Sequence, residues 1–220
     1  MSEPAAGLLA ACRVLPAHRL VTAFGHVSAR SGPGRVLITP AAPLGSLGDQ
    51  DTLLRELRLD TQVLPPGVPG EAWIHLAIYA ARPDVRAICR AQPPVATALG
   101  AAGLPIRALH GQGAFLGAEV PVLDDAVLVR DPARAAAVAA RLGGAPGLLL
   151  RGNGAVTVGS DVGEATARMW VLEASAELNA TAAAAAGHGS VPVQLTGAEL
   201  AAWEAAAPEL LARIWAWLRG

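Results

Sequence analysis

Apolar positions recur along the chain in two periods, and the switches between them outline the elements. Leu8, Leu9, Cys12 and Leu15 share one face of a helical wheel over residues 4–16, which predicts a first helix. Val27 and Ala29, then Val36, Leu37 and Ile38, read as two short strands joined by the turn Ser31-Gly32-Pro33-Gly34. Residues 53–59 alternate as a further strand, and the proline- and glycine-rich residues 65–70 form a stiff loop. A helix is expected over 71–82, stopped by Pro83, followed by a buried strand over 85–89. Pro93-Pro94 opens another helix at its first turn, and Asp131-Pro132 caps one that ends at Gly143-Gly144. Strands over 148–150 and 155–158 flank Arg151-Gly152-Asn153-Gly154. Asp161-x-x-Glu164 and Thr196-x-x-Glu199 have capping-box spacing. The first opens a long helix to about Gly187. The second opens a helix broken near Pro208, with Leu210, Leu211, Ile214, Trp215 and Leu218 on its last face. Short central strands with interspersed helices and a helical end describe an α/β or α+β domain. One domain over 1–220 is expected, with 196–220 as a helical C-terminal extension.

Composition narrows the function. Hydrophobic residues make up 53% of the 220 and charged residues 16%, which excludes a disordered tail. A net charge of −1 leaves no basic field for nucleic acid or anionic lipid. No apolar run is long enough to span a membrane. All 17 basic residues are arginine, so no side-chain amine exists for a Schiff base, a pyridoxal phosphate linkage or a Walker lysine. Cys12 and Cys89 form neither a disulfide framework nor a zinc pattern and read as buried free thiols of a cytoplasmic protein. Leu9-Ala10-Ala11-Cys12 has the outline of a lipoprotein box, but it follows Glu3, no basic residue and too short an apolar run.

Four ordered segments resemble the class II aldolase/adducin family. They are Phe24-Gly25-His26-Val27-Ser28-Ala29-Arg30, Val36-Leu37-Ile38-Thr39-Pro40, the segment from Glu71 through Trp73, His75 and Tyr79 to Val85, and the run from Leu148 through Arg151-Gly152-Asn153-Gly154 to Gly159. The resemblance spans about residues 8–187. It implies a three-layer α/β/α domain around a central, mostly antiparallel sheet. It also implies homotetramers with sites between neighbouring subunits.

The chain departs from that family where the chemistry lies. Enzymes of the family hold a divalent metal with three histidines, and the matching positions here are Arg90, Gln92 and Asn153. A guanidinium and two amides cannot replace three imidazoles, so no metal and no other cofactor is expected. His18, His26, His75, His110 and His188 have no metal-like spacing. Where the family's sugar-phosphate aldolases carry hydroxyl donors for phosphate, this chain has Ala41-Ala42 and Pro69-Gly70, which disfavours a phosphorylated substrate. The Gly25-His26-Val27-Ser28 variant resembles the branch that includes decarboxylases.

Glu71 stands at the family's acid/base glutamate and is the expected proton carrier. Arg90 is expected to clamp a carboxylate or an oxyanion in place of the metal, with Gln92 and Asn153 as orienting amides. His26, Ser28 and His110 are further candidates for substrate contact. His75 reads as scaffold on the same helical face as Glu71, and Arg30 as the partner of a core acid. Trp73 and Trp170 read as core. Trp203, Trp215 and Trp217 cover either the domain's own core or a subunit contact. The function expected is a metal-independent lyase acting next to a carbonyl or carboxyl group of an unphosphorylated small molecule. Decarboxylation, retro-aldol cleavage, dehydration and cyclisation all fit. The alternative is a pseudoenzyme, an interaction or ligand-binding protein like the adducin head, in which Arg90 and Glu71 simply pair.

Overall fold

The computed structural model describes residues 2–48, 53–187 and 191–220, so His188 lies outside the described residues. Seven strands form one sheet. From one edge these are β3 (Arg55–Arg58), β2 (Arg35–Ile38), β1 (His26–Gly32), β4 (Ala87–Ala91), β7 (Ala155–Gly159), β6 (Gly147–Leu150) and β5 (Val122–Leu123). Every pairing is antiparallel except β5 with β6. Helices α1 (Glu3–Ala17), α3 (Pro94–Ala101) and α5 (Val162–Ala186) cover one face, and α2 (Ala72–Ala81) and α4 (Pro132–Leu142) cover the other. The expected three-layer α/β/α architecture is what the chain adopts.

Strand parity builds the two layers. In a strand, successive side chains point to opposite faces. Val27 and Ala29 of β1 and Ala87, Cys89 and Ala91 of β4 join the cluster under α1 and α5 with Leu8, Leu15 and Leu172. Val36, Ile38 and Ile88 join the opposite cluster with Ile74 and Ile78 of α2 and Leu142 of α4. The even positions His26, Ser28 and Arg90 therefore fall on the α2 side of the sheet. A one-residue slip of β4 would drive Arg90 into the apolar α5 layer, so the register is strongly specified.

Several expectations are corrected. The strand expected over 85–89 starts at Ala87 and runs on through Arg90, because β4 pairs with β1 and β7 up to its end. The last helix, α6 (Gly197–Leu218), is not broken at Pro208. Ala207 and Leu211 are buried on either side of that proline, whose ring faces solvent, so the helix sacrifices a backbone hydrogen bond and keeps its packing. The Thr196–Glu199 capping box forms in full. At α5 only half of one does: Asp161 accepts from the Glu164 amide at 2.8 Å, but Glu164 reaches back to the Ser160 amide at 2.6 Å. Arg30 pairs with carbonyls and not with an acid. It donates to Val85 O at 2.9 Å and Tyr79 O at 2.8 Å, which ties down the end of α2. Trp73 and Trp170 are half-buried at the margins of the two clusters, not inside them. Cys12 and Cys89 are buried free thiols, and burial pushes the Cys12 thiol up to about 12. Among the described residues no helix is long and apolar enough to cross a membrane.

Candidate active site

Three loops meet above the even positions of β1 and β4. Glu71 immediately precedes α2, so the start of that helix delivers its carboxylate to the sheet. Arg90 is the penultimate residue of β4 and lies directly opposite His26 on β1. Asn153 sits on the turn between β6 and β7. That turn needs glycine at 154. Its φ is +83°, and a Cβ there would lie 2.2 Å from the Ala91 carbonyl oxygen. Gly25, with φ +148°, brings the chain equally close to Val21, where a Cβ would meet Cγ1 at 2.5 Å. The two glycines let both turns approach the end of β4.

The polar groups close a triangle. Arg90 Nη2 lies 3.0 Å from Glu71 Oε2 and donates to Asn153 Oδ1 at 2.7 Å. Asn153 Nδ2 donates to Glu71 Oε1 at 3.1 Å. Arg90 is 1% exposed, and its Nε is buried with no hydrogen-bond partner. His26 Nε2 approaches Glu71 Oε2 to 3.8 Å. Burial by itself would raise the Glu71 pKa. His26, the Arg90 charge and the Asn153 amide outweigh it and bring the carboxyl down to about 2. Burial lowers the pKa of His26, and that of His75 still further, so both imidazoles are neutral near pH 7.

A hydrogen-bonded file runs from His26 away from the pocket. His26 Nδ1 and His75 Nε2 are 2.7 Å apart, His75 Nδ1 and Ser28 Oγ 2.6 Å, and Ser28 Oγ and Tyr79 Oη 2.9 Å. His75 and Ser28 are fully buried.

The pocket above the triangle has a volume of about 650 Å³. Glu71, Arg90, His26, Gln92 and Asn153 line its polar side, while Phe24, Pro43, Pro69 and Leu128 give it apolar walls. Ala41, Ala42 and Gly70 also line it, and no serine or threonine does among the described residues. Five of the expected site residues are thus brought together. Ser28, a candidate for substrate contact, is not in the pocket but two hydrogen bonds behind His26, as a buried strand hydroxyl. His110 is elsewhere: it sits ahead of the 3-10 turn Gly111–Leu116 and its Nε2 meets Ser175 Oγ of α5 at 3.0 Å. The glycines around it let that turn pack on α5 and α6 and do not open it to the cleft. Sequence reasoning missed Arg130, an exposed guanidinium on the pocket rim that faces no carboxylate among the described residues. An isolated arginine in a loop carries no periodic signal. It also left out Tyr79, whose spacing of four from His75 on a helix was the available clue.

A divalent metal of the kind the resemblance implies does not fit. Its three ligand positions hold a permanent cation and two amides, and Arg90 already engages both Asn153 Oδ1 and Glu71. Among the described residues no three His, Cys, Asp or Glu side chains are placed to hold a metal ion.

Comparison with known proteins agrees with the fold. The chain is 34% identical over 192 residues to a 3,4-dihydroxyphthalate decarboxylase from Terrabacter sp., covering 80% of each. It is 32% identical over 193 residues to a protein of the same name from Arthrobacter keyseri, covering 80% of this chain and 77% of that one. Among solved structures, an aldolase II superfamily protein from Pseudomonas syringae superposes with a TM-score of 0.80 at 23% identity, over 98% of this chain and 90% of the other. L-fuculose-1-phosphate aldolase from Thermus thermophilus superposes at 0.75 with 30% identity, over 84% and 97%. The family model of the class II aldolase and adducin N-terminal domain matches residues 6–180. That match takes in most of the chain, and this chain belongs to the class II aldolase and adducin N-terminal domain family.

Proposed function

We propose that the protein is a lyase that removes carbon dioxide from an unphosphorylated small carboxylic acid without a resident metal. The observation that carries this reading is the Glu71–Arg90–Asn153 triangle at the floor of an open, hydroxyl-free pocket. Relatives named for decarboxylation of a hydroxylated aromatic diacid support a substrate of that class. The apolar walls of Phe24, Pro43, Pro69 and Leu128 suit a flat ring. Arg130 at the rim suits a carboxylate that does not react.

The residues divide the work as follows. Glu71, kept ionised, accepts the proton of a ring hydroxyl beside the leaving carboxylate. Arg90 stabilises the resulting oxyanion as a fixed cation in a place of low dielectric. The carboxyl-bearing carbon takes up a proton from solvent. The bond to the carboxylate then breaks with its electron pair returning to the ring, and carbon dioxide leaves. The hydroxyl recovers its proton from Glu71. Gln92 and Asn153 orient the substrate and the base.

A second reading has an observation of its own. Arg90 already pairs with Glu71, as in a binding protein whose ion pair is only structural. Carbon dioxide release from 3,4-dihydroxyphthalate and related ortho-hydroxy aromatic acids separates the two. Turnover that survives dialysis against chelator and drops about 100-fold or more in Glu71→Gln is expected. Binding by calorimetry with no carbon dioxide from any of these acids selects the binding protein. Activity restored only by added zinc overturns metal independence. The homotetramer, the cytoplasmic location and the single domain with residues 196–220 appended belong to the same proposal. Sedimentation of the purified chain tests the tetramer.

A further inference from the structure

The file of three buried groups behind His26 has a direction, and the direction is set at both ends. Each contact in it joins two groups that can both donate and accept, so the protons could in principle be ordered either way. In one order Tyr79 donates to Ser28, Ser28 donates to His75 Nδ1, His75 Nε2–H donates to His26 Nδ1, and His26 presents Nε2–H to the pocket. In the other order every proton is reversed. His26 Nε2 would then turn a lone pair toward the Glu71 carboxylate 3.8 Å away. At the far end the Tyr79 hydroxyl would be left to donate elsewhere, yet among the described residues its only hydrogen-bond partner is Ser28. The reversed order thus combines a repulsion in a buried site with an unsatisfied buried hydroxyl, each a penalty of about 1–3 kcal/mol. The first order satisfies every group.

We propose that Tyr79, Ser28 and His75 are positioning residues that lock His26 in its Nε2–H tautomer. His26 is thereby a neutral hydrogen-bond donor aimed into the pocket, for an oxyanion or carboxylate oxygen of the substrate. The tautomer of a histidine is decided by the bond its other nitrogen makes, and here that bond is relayed through three residues. Strand register puts the result to use. His26 lies directly opposite Arg90 on β1 and β4, so a neutral donor and a fixed cation stand side by side at the floor of one pocket. The lock rests on hydrogen bonds alone, while its effect on turnover rests on the decarboxylase reading.

The test reads the tautomer directly. The intact protein labelled with ¹⁵N-histidine is examined by long-range ¹H–¹⁵N correlation at neutral pH, with His26 assigned by single substitution. A pyrrole-type Nε2 and a pyridine-type Nδ1 on His26 are expected. Ser28→Ala removes the relay, and Glu71→Gln in the same chain removes the repulsion at the other end, so the double variant is expected to bring in the other tautomer. Ser28→Ala alone is expected to lower kcat about tenfold with a smaller change in KM, as loss of a supporting hydrogen bond does. A wild-type His26 protonated on Nδ1 overturns the lock. So does an unchanged tautomer in the double variant. A tautomer shift in a protein that as wild type releases no carbon dioxide leaves the lock standing and rejects the decarboxylase reading.

Discussion

Glu71, half-buried, and Glu173, buried, are two glutamates whose pKa values move in opposite directions. Glu71 opens α2 above the sheet, with 14% of its side chain exposed, and faces a guanidinium, an amide and an imidazole. Its carboxyl is held ionised down to about pH 2. Glu173, on α5 and 8% exposed, has backbone amides as its hydrogen-bond partners. It accepts from Val95 N at 2.8 Å and Ala96 N at 2.9 Å, and so caps α3, whose first residue is a proline without an N–H. There burial is the largest influence and raises the pKa; the two amide donors work against it, and the charge of Glu177 adds to it. The pair teaches what makes a buried carboxylate chemically useful. Two N–H donors clasp a helix without outweighing burial, whereas an imidazole, a cation and an amide together outweigh it and keep Glu71 ionised. In this chain that cation stands where the family resemblance implies a metal.

Removing the cation is the strongest way to break the contrast. Arg90→Ala leaves Glu71 buried without its counter-charge, which is expected to destabilise the fold by about 3–5 kcal/mol. Urea denaturation measures it. A loss below about 1 kcal/mol would show that solvent in the pocket, not Arg90, holds Glu71 ionised. Removing the acceptor at the other site is milder. Glu173→Gln keeps the shape but turns one of two accepting oxygens into a donor facing an N–H, at an expected cost of about 1–3 kcal/mol. That variant lies outside the pocket and is expected to leave ligand affinity unchanged, which calorimetry checks.

Much of this contrast is legible before any coordinates. Ala87, Cys89 and Ala91 alternate with Ile88 and Arg90, and strand parity alone puts Arg90 on the face that α2 covers. The spacing of Glu71 from Arg90 survives in the family resemblance, so their meeting follows from the fold. Asn153 comes the same way. What the sequence hides has physical reasons. Pro208 signals a broken helix, but tertiary packing of Ala207 and Leu211 on α5 overrides the local rule. His110 stands among glycines as a cleft residue would, yet glycine serves close packing as well as loops. Arg130 is one loop arginine among 17 and only the folded rim gives it a meaning. The role of Glu173 is invisible because a side chain that caps another helix, 77 residues away, leaves no mark at either place.

Acid sharpens the comparison with the smallest effect and the clearest sign. A carboxyl whose pKa is lower folded than unfolded stabilises fully above its unfolded value, and the contribution fades as pH falls toward the folded one. For Glu71 the window runs from about 4.5 down to about 2. A carboxyl whose pKa is raised does the reverse. Glu173 contributes most below 4.5 and loses that contribution as pH climbs through its raised value. The unfolding free energy of wild type minus Glu71→Gln should therefore shrink as pH falls through the Glu71 window. Wild type minus Glu173→Gln should grow as pH falls toward 4.5 from above. His26 and His75, held neutral by burial, lower the stability of wild type and Glu173→Gln alike as pH drops below 6.5, so subtraction removes them from the Glu173 curve; Glu71 raises the His26 pKa, so the Glu71 curve also carries an opposing imidazole contribution. Opposite slopes in the two difference curves would confirm that its polar and charged partners, and not burial, set the character of Glu71. Parallel slopes would mean that the Arg90–Glu71 pair is too solvated to differ from an ordinary helix cap.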